Sequence, residues 1–249
     1  MSDKADTDID NPSGAWPCRP MIRGDWSEVP TQLLKAFQTR SLRHEMMGAS
    51  PLPHPIARMR ILQPSFYPNR LLLEALACYS SRSDGVIRIL LGPEGYELLN
   101  GKSPLIHAVN RTQLALDGEA ARADQYLQFF TFAVRGDEGP FRIVQGTDDL
   151  EPFHHIANEA RERLDDLLMP VRDLGADDKG FYREATILYG RDLFRARFTI
   201  KPSGMVTMED DERLYGDFLD EPEAYDDVWQ VLPAAERLGE RVKAQGNPR

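Results

Sequence analysis

The sequence has few of the residues that define disulfide-bonded, zinc-binding or secreted proteins. Its 249 residues include two cysteines, Cys18 and Cys78, and five histidines. A secreted domain held by disulfides usually has more cysteines, and a structural zinc site needs four ligands at short spacings. The amino terminus is acidic where a signal peptide needs a basic start, and no apolar run approaches the roughly 20 residues that cross a bilayer. We therefore expect a soluble, cytoplasmic protein without a membrane partner, a metal or a cofactor.

The charge balance disfavours nucleic acid as a partner. The chain has 40 acidic and 30 basic residues, which gives a formal net charge of −10. Such a chain repels phosphate backbones unless its basic residues cluster. Hydrophobic residues make up 41% of the sequence, which is enough for a substantial core.

Apolar spacing predicts helices and strands in irregular order. Helices are predicted from residue 31, over residues 69–81, from Ser103, from Glu119 and over residues 153–167. A β-hairpin is predicted over residues 85–99, and a three-stranded meander over residues 181–208. Because no regular βαβ order appears, the predicted class is α+β, with an antiparallel sheet built from the hairpin and the meander and packed with amphipathic helices.

Composition divides the chain into three parts. Residues 1–27 are polar and rich in proline, which predicts a flexible arm. Residues 28–208 are predicted to form a single core domain. Residues 209–249 are predicted to form an acidic C-terminal region that ends in a helix and a frayed tail.

Two of these parts contain candidate partner-binding residues. Trp16 and Trp26 are large aromatics in the predicted arm, where they could anchor it to a partner or pack on their own domain. Between residues 209 and 227 the chain has ten acidic residues and one basic residue, interleaved with aromatics. This pattern suits either a surface that engages a basic groove or an ordinary solvated surface. The candidate residues of this region are Asp210, Asp211, Tyr215, Phe218 and Tyr225.

A histidine pair suggests a catalytic alternative. His154, His155 and Glu159 are the densest group of possible metal ligands, and a helix would place His155 and Glu159 on one face. A catalytic metal needs a third protein ligand from elsewhere in the chain. A histidine pair at a helix entrance is the alternative interpretation.

Basic residues of the meander form a candidate anion site. With period-two alternation, Arg195 and Arg197 share one face of their strand. This patch could take a phosphate or an acidic peptide, including the acidic region of a second copy of the chain. A solvated outer sheet face is the alternative.

These patterns leave open whether the protein is an enzyme. The favoured hypothesis is a non-catalytic interaction or regulatory protein that binds a protein partner or associates with itself through its arm and its acidic region. The alternative is a metal-assisted hydrolase that uses His154, His155 and Glu159. A third possibility is small-ligand binding in a cleft between the helices and the sheet.

Overall fold

The computed structural model describes residues 16–46, 52, 56–77, 85–117, 119–150, 156–226 and 228–232. The strands within these residues are β1 (Ser27–Glu28), β2 (Ile56–Leu62), β3 (Leu71–Ala77), β4 (Gly85–Gly92), β5 (Gly95–Leu98), β6 (Arg135–Gly136), β7 (Gly139–Pro140), β8 (Arg142–Ile143), β9 (Arg172–Asp177), β10 (Gly180–Tyr189), β11 (Asp192–Ile200), β12 (Val206–Tyr215), β13 (Ala224–Asp226) and β14 (Trp229–Val231). The helices are α1 (Thr31–Met46), α2 (Ser103–Gln113), α3 (Ala120–Ala133), α4 (Asn158–Arg161) and α5 (Leu164–Leu167), with a 3-10 turn at Thr147–Leu150. Antiparallel sheets and helices together confirm the predicted α+β class.

The larger sheet has the strand order β1-β2-β3-β4-β14-β13, and β5 pairs with β4. The β4 and β5 strands run antiparallel on either side of Pro93 and Glu94. At the far end, β14 pairs with β4, so the C-terminal part of the chain completes this sheet.

The helix predicted over residues 69–81 is wrong, because its described part is strand β3. From Leu72 to Ala77 every residue of β3 is buried, and the strand pairs with β2 on one side and β4 on the other. A strand that is covered on both faces has a continuous apolar run, and its period cannot be distinguished from that of a buried helix. Pairing with β2 and β4 therefore makes this segment a strand.

The smaller sheet has the order β12-β11-β10-β8, and β9 pairs with β10 beside β8. The predicted single sheet is therefore wrong, since β4 and β5 belong to the larger sheet while β10, β11 and β12 belong to this one. The separation follows from packing, because α3 lies between the two sheets and buries apolar residues against both.

The single helix predicted over residues 153–167 is also wrong in its described part. Two four-residue helices, α4 and α5, stand in its place, and residues 151–155 lie outside the described part of the chain. Ile156 forms a β-bridge with Leu219, and the Ala157 N–H donates to the Phe218 carbonyl. These contacts use the backbone that a longer helix would need, so α4 begins only at Asn158.

Three large apolar layers hold the elements together, and a fourth, smaller cluster joins Cys18 to Leu76, Val86 and Leu232. The central layer contains α2, α3 and the facing residues of both sheets, including Phe66, Phe129 and Phe198. On the opposite face of the larger sheet, Leu34 of α1 packs on Met59 and Ile87. The third layer covers the part of the outer face of the smaller sheet around Leu188 and Leu193 with residues of α4 and α5. No helix in the described ranges is long and apolar enough to cross a membrane.

The boundaries predicted between the arm, the core domain and the acidic region, at residues 27 and 209, do not coincide with breaks in the packing of the chain. Residues 16–26, which we call the N-terminal segment, lie against the body, with Met21 and Ile22 in the central core. The acidic region is not separate either, because its first residues are the second half of β12 and its later residues form β13 and β14. The proline-rich and acidic compositions of these segments did not predict their ordered structure, because contacts with distant parts of the chain order them. Residues 1–15 and the predicted terminal helix and tail, 233–249, lie outside the described residues.

Candidate functional site

Strand β12 is a ten-residue strand at the edge of the smaller sheet. It pairs with β11, and no other strand of the described residues pairs with its second side. Seven consecutive residues, from Thr207 to Arg213, are exposed, including Asp210 and Asp211. An edge strand presents a row of backbone N–H and C=O groups, and charged side chains are a common way to control what pairs with it.

The turn before β12 is anchored to the helical layer. Gly204 has a φ of +79°, and a Cβ there would lie 2.3 Å from Nδ2 of Asn110. The Gly204 carbonyl accepts a hydrogen bond of 2.6 Å from the Tyr126 hydroxyl on α3. Strand β12 therefore begins from a fixed point on the body.

A row of alternating charges crosses the outer face of the smaller sheet. In the strand register, Arg172 of β9 lies opposite Glu184 of β10, Glu184 opposite Arg197 of β11, and Arg197 opposite Asp210 of β12. We call these four residues the exposed charge row because Arg172, Arg197 and Asp210 are open to solvent, whereas Glu184 is buried between the two arginines. Glu184 forms ion pairs with Arg172 at 2.7 Å and with Arg197 at 3.1 Å.

The predicted anion site falls on this row and beside it. Arg197 is paired with Glu184, and Arg195 lies opposite Glu212 on β12. Burial raises the pKa of Glu184, but the hydrogen bond from Arg197 and the charge of Arg172 outweigh it and hold that pKa below its ordinary value. The positive charge of the patch is thus balanced by carboxylates of the same sheet.

A cleft of about 720 Å³ opens at the end of β12. Its walls come from the loop before α2, the β6–β7 hairpin, the β10–β11 turn and residues 213–225. Charged side chains of both signs line it: Lys102, Arg135, Arg191, Arg213, Asp137, Glu138, Asp192, Asp217 and Glu223. The described lining contains no histidine, cysteine or serine.

Ion pairs within the cleft attach the acidic region to the neighbouring turn. Arg213 lies 2.8 Å from Asp192, and Arg191 lies 3.3 Å from Asp217. The Asp217 N–H also donates to the Asp192 carboxylate at 2.8 Å. These contacts hold the end of β12 and the loop after it in one position relative to β10 and β11.

Tyr225 forms part of the cleft wall with its ring under Arg135, at 4.8 Å from the guanidinium carbon. Its hydroxyl donates to Glu223 at 2.7 Å, and Glu223 also binds the buried Arg142 at 2.6 Å. Burial first, and then the Glu223 charge, raise the pKa of Tyr225 well above its usual range. Tyr225 is therefore a neutral hydrogen-bond donor at ordinary pH.

The two tryptophans pack on the chain's own body. The guanidinium carbon of Arg60 lies 4.4 Å from the Trp16 ring centroid and 5.2 Å from that of Trp26. Beneath them Arg60, Glu74 and Arg88 lie opposite one another on β2, β3 and β4, and we call these three residues the buried charge row. Both rings therefore pack on Arg60 at the end of this row.

The buried charge row is closed by the N-terminal segment. The Met21 N–H donates to Glu74 at 3.0 Å, and the Cys18 carbonyl accepts from Arg60 at 3.2 Å. Burial, followed by the charge of Glu74, raises the pKa of the Cys18 thiol to about 11. Cys18 therefore remains a protonated, buried thiol beside the row.

The other predicted partner-binding residues divide between surface and core. Asp210 and Asp211 are exposed on β12, and Tyr215 is half-buried at its end. Phe218 is fully buried in the third layer, 6.1 Å from the Tyr215 ring, and thus has a structural role. Asp210 and Asp211 are therefore the exposed members of the set, and Tyr215 and Tyr225 are half-buried.

The predicted metal site is largely outside the described residues. His154 and His155 fall in the omitted range 151–155, and Glu159 is exposed in the short helix α4. Among the residues that the structure places, no three histidine, cysteine or carboxylate groups come together to hold a metal.

Sequence reasoning missed the buried charges of the larger sheet. Arg58, Arg60, Arg88 and Glu74 are each less than 9% exposed. The available signal was a single glutamate within the apolar run of β3, since a fully buried carboxylate requires cationic partners. Arg60 of β2 and Arg88 of β4, which lie directly opposite Glu74, supply those partners.

Comparison of the chain with protein-family models, with curated proteins and with solved structures finds no match.

Proposed function

We propose that the protein is a non-catalytic interaction protein of the cytoplasm that binds a protein partner, or a second copy of itself, through its acidic region. The binding surface consists of β12 and the adjoining residues of the cleft, up to Asp226. The observation that supports this proposal is the exposed and acidic edge of β12, beside which the described part of the chain places no further strand.

The charge of this surface favours a basic counterpart. Strand β12 has four consecutive acidic residues, 209–212, and the loop after it adds Asp217, Asp220 and Glu221. Clustered charge of one sign accelerates encounter with a surface of the opposite sign and repels other surfaces. The same charges also prevent the open edge of β12 from pairing unselectively with strands of other proteins.

A charge-reversal experiment tests the proposal. The variant Asp210→Lys/Asp211→Lys changes the formal net charge from −10 by 2 × 2 to −6. The control Asp165→Lys/Asp166→Lys makes the same change at two adjacent exposed residues of α5. Native mass spectrometry of protein purified from its own host, without added metal or chelator, measures the assembly.

We expect the β12 variant to lose the assembly while the control keeps it. Thermal unfolding of both variants should remain cooperative, which separates lost binding from lost folding. An assembly that survives the β12 reversal, or a wild-type protein isolated as a bare monomer, contradicts the proposal.

A further inference from the structure

The exposed charge row ends on an open strand. It alternates positive, negative, positive and negative from Arg172 to Asp210, and Asp210 is its last member among the described residues. In a second row beside it, Thr186 of β10 lies opposite Arg195 of β11, and Arg195 lies opposite Glu212 of β12. Both rows therefore end in a carboxylate on the same face of the edge strand, two residues apart.

Opposite charges at directly facing positions stabilise strand pairing, and like charges destabilise it. A strand added beside β12 would place its side chains opposite Asp210 and Glu212 at an interval of two residues. The favourable side chains at these two positions are lysine or arginine.

A second copy of β12 does not meet this requirement. Residues 209–212 are all acidic, so an antiparallel pair of two β12 strands centred there would place carboxylates opposite carboxylates. The edge therefore selects against strand β12 of a second copy.

Two irregularities limit the length of the added strand. The register of β11 and β12 shifts between Arg197 and Phe198 and again between Leu193 and Phe194. Between these bulges, Asp210–Arg213 pair regularly with Phe194–Arg197. This stretch can present a straight edge over about four residues, which covers both carboxylates.

We infer that β12 binds an extended segment of another protein in which two basic residues are separated by one residue. The segment adds to the free edge as a new strand, with its two cations opposite Asp210 and Glu212. This inference rests on the proposed function and specifies the chemistry of the partner. Backbone hydrogen bonds contribute affinity, and the two charge pairs determine the register.

Two peptides of identical composition test the inference with the full-length protein. The first is acetyl-Thr-Thr-Lys-Thr-Lys-Thr-Thr-amide, with its lysines two positions apart, and the second is acetyl-Thr-Thr-Thr-Lys-Lys-Thr-Thr-amide. We expect the first to slow amide hydrogen exchange along residues 210–213 and to bind more tightly than the second. Since each cross-strand charge pair contributes modestly, Asp210→Asn/Glu212→Gln should weaken binding of the first peptide about tenfold. Asp165→Asn/Asp166→Asn on α5 is the matched control and should leave it unchanged.

Three results would overturn the inference. Equal binding of the two peptides would show attraction to negative charge without strand addition. Absence of exchange protection on β12 at millimolar peptide would show that the acidic residues serve only as a barrier to pairing. Exchange protection of β12 that increases with protein concentration alone would identify a second copy as the occupant.

The two proposals fail separately. If neither peptide binds β12 but Asp210→Lys/Asp211→Lys still dissociates the native assembly, strand addition is rejected and the interaction function stands. If the reversal also has no effect, both are rejected. Peptide protection measured on the wild-type protein remains decisive even if a variant fails to fold.

Discussion

Replacing Glu74 by glutamine should strongly destabilise the protein. Glu74 is fully buried and is the carboxylate between Arg60 and Arg88 in the buried charge row. It accepts hydrogen bonds from Nε of Arg60 at 2.7 Å, from Nε of Arg88 at 3.0 Å and from the Met21 N–H at 3.0 Å. Glutamine has nearly the same shape but no charge, so the variant isolates the electrostatic contribution.

The magnitude follows from the two arginines that would remain. Removing one partner of a buried ion pair typically costs about 3–5 kcal/mol, because the remaining charge is desolvated without compensation. Arg60 retains the Trp16 ring and the Cys18 carbonyl, and Arg88 retains Gln230, which places the expected loss near the lower value, at about 3 kcal/mol. In a chain of this size, a loss of that magnitude lowers the melting temperature by about 6–12 °C.

Urea unfolding at pH 7, followed by circular dichroism, measures the free energy of unfolding. Glu97→Gln on the exposed side of β5 is the matched control, with an expected cost of less than about 0.5 kcal/mol. Replacing the whole row with Glu74→Leu, Arg60→Met and Arg88→Met should recover much of the loss, because apolar substitutes of similar volume need no charge compensation. A Glu74→Gln variant within about 1 kcal/mol of wild type would refute the reasoning, since it would mean that water or another group neutralises the arginines.

Two further predictions concern the N-terminal segment and the exposed charge row. Ile22→Ala should lower the free energy of unfolding by about 2–4 kcal/mol in urea titrations, because its side chain is 1% exposed in the central core. Leu33→Ala, at a residue that is 61% exposed, should change it by less than about 0.5 kcal/mol, and equal effects would contradict the packing of the N-terminal segment. The pKa of Glu184 is lower in the folded protein than in the unfolded chain, where it is about 4.3. The ionised carboxylate therefore contributes its full stabilisation at pH values above the unfolded pKa. This contribution is lost as the pH falls through the folded pKa. The stability difference between wild type and Glu184→Gln should therefore be largest near neutral pH and shrink below about pH 4, and a difference independent of pH would exclude this ion pairing.

Helices with local signals could be predicted from the sequence. Helices were predicted to begin at Ser103 and at Glu119, and α2 and α3 begin at Ser103 and Ala120. In these segments the local pattern agrees with the tertiary environment, since the apolar face of α3 fills the central layer. The α+β class was predicted from the irregular order of helices and strands, and the antiparallel sheets and helices confirm it.

Segments that depend on distant partners could not be predicted. The N-terminal segment is ordered by Glu74 and Arg60, which lie about fifty and forty residues away in the sequence. Acidic residues are rare in strands, so residues 209–212 gave no local sign of β12, and the pairing with β11 decides their conformation. For the candidate site, composition indicated the acidic region, but only the strand register shows that Asp210 and Glu212 share a face and that Arg195 and Arg197 lie opposite them.

The two charge rows differ in how they end, and this difference connects the fold to the proposed function. The buried row must be closed, because no solvent ion can reach Glu74 to compensate an unpaired charge. Backbone groups and tryptophans of the N-terminal segment complete it on one face, and Gln230 accepts from Arg88 at its end. The exposed row can remain open because water stabilises Asp210 at the edge. An added strand that supplies a cation there would continue an alternation that four strands of the sheet already follow, whereas any strand that supplies a carboxylate would break it.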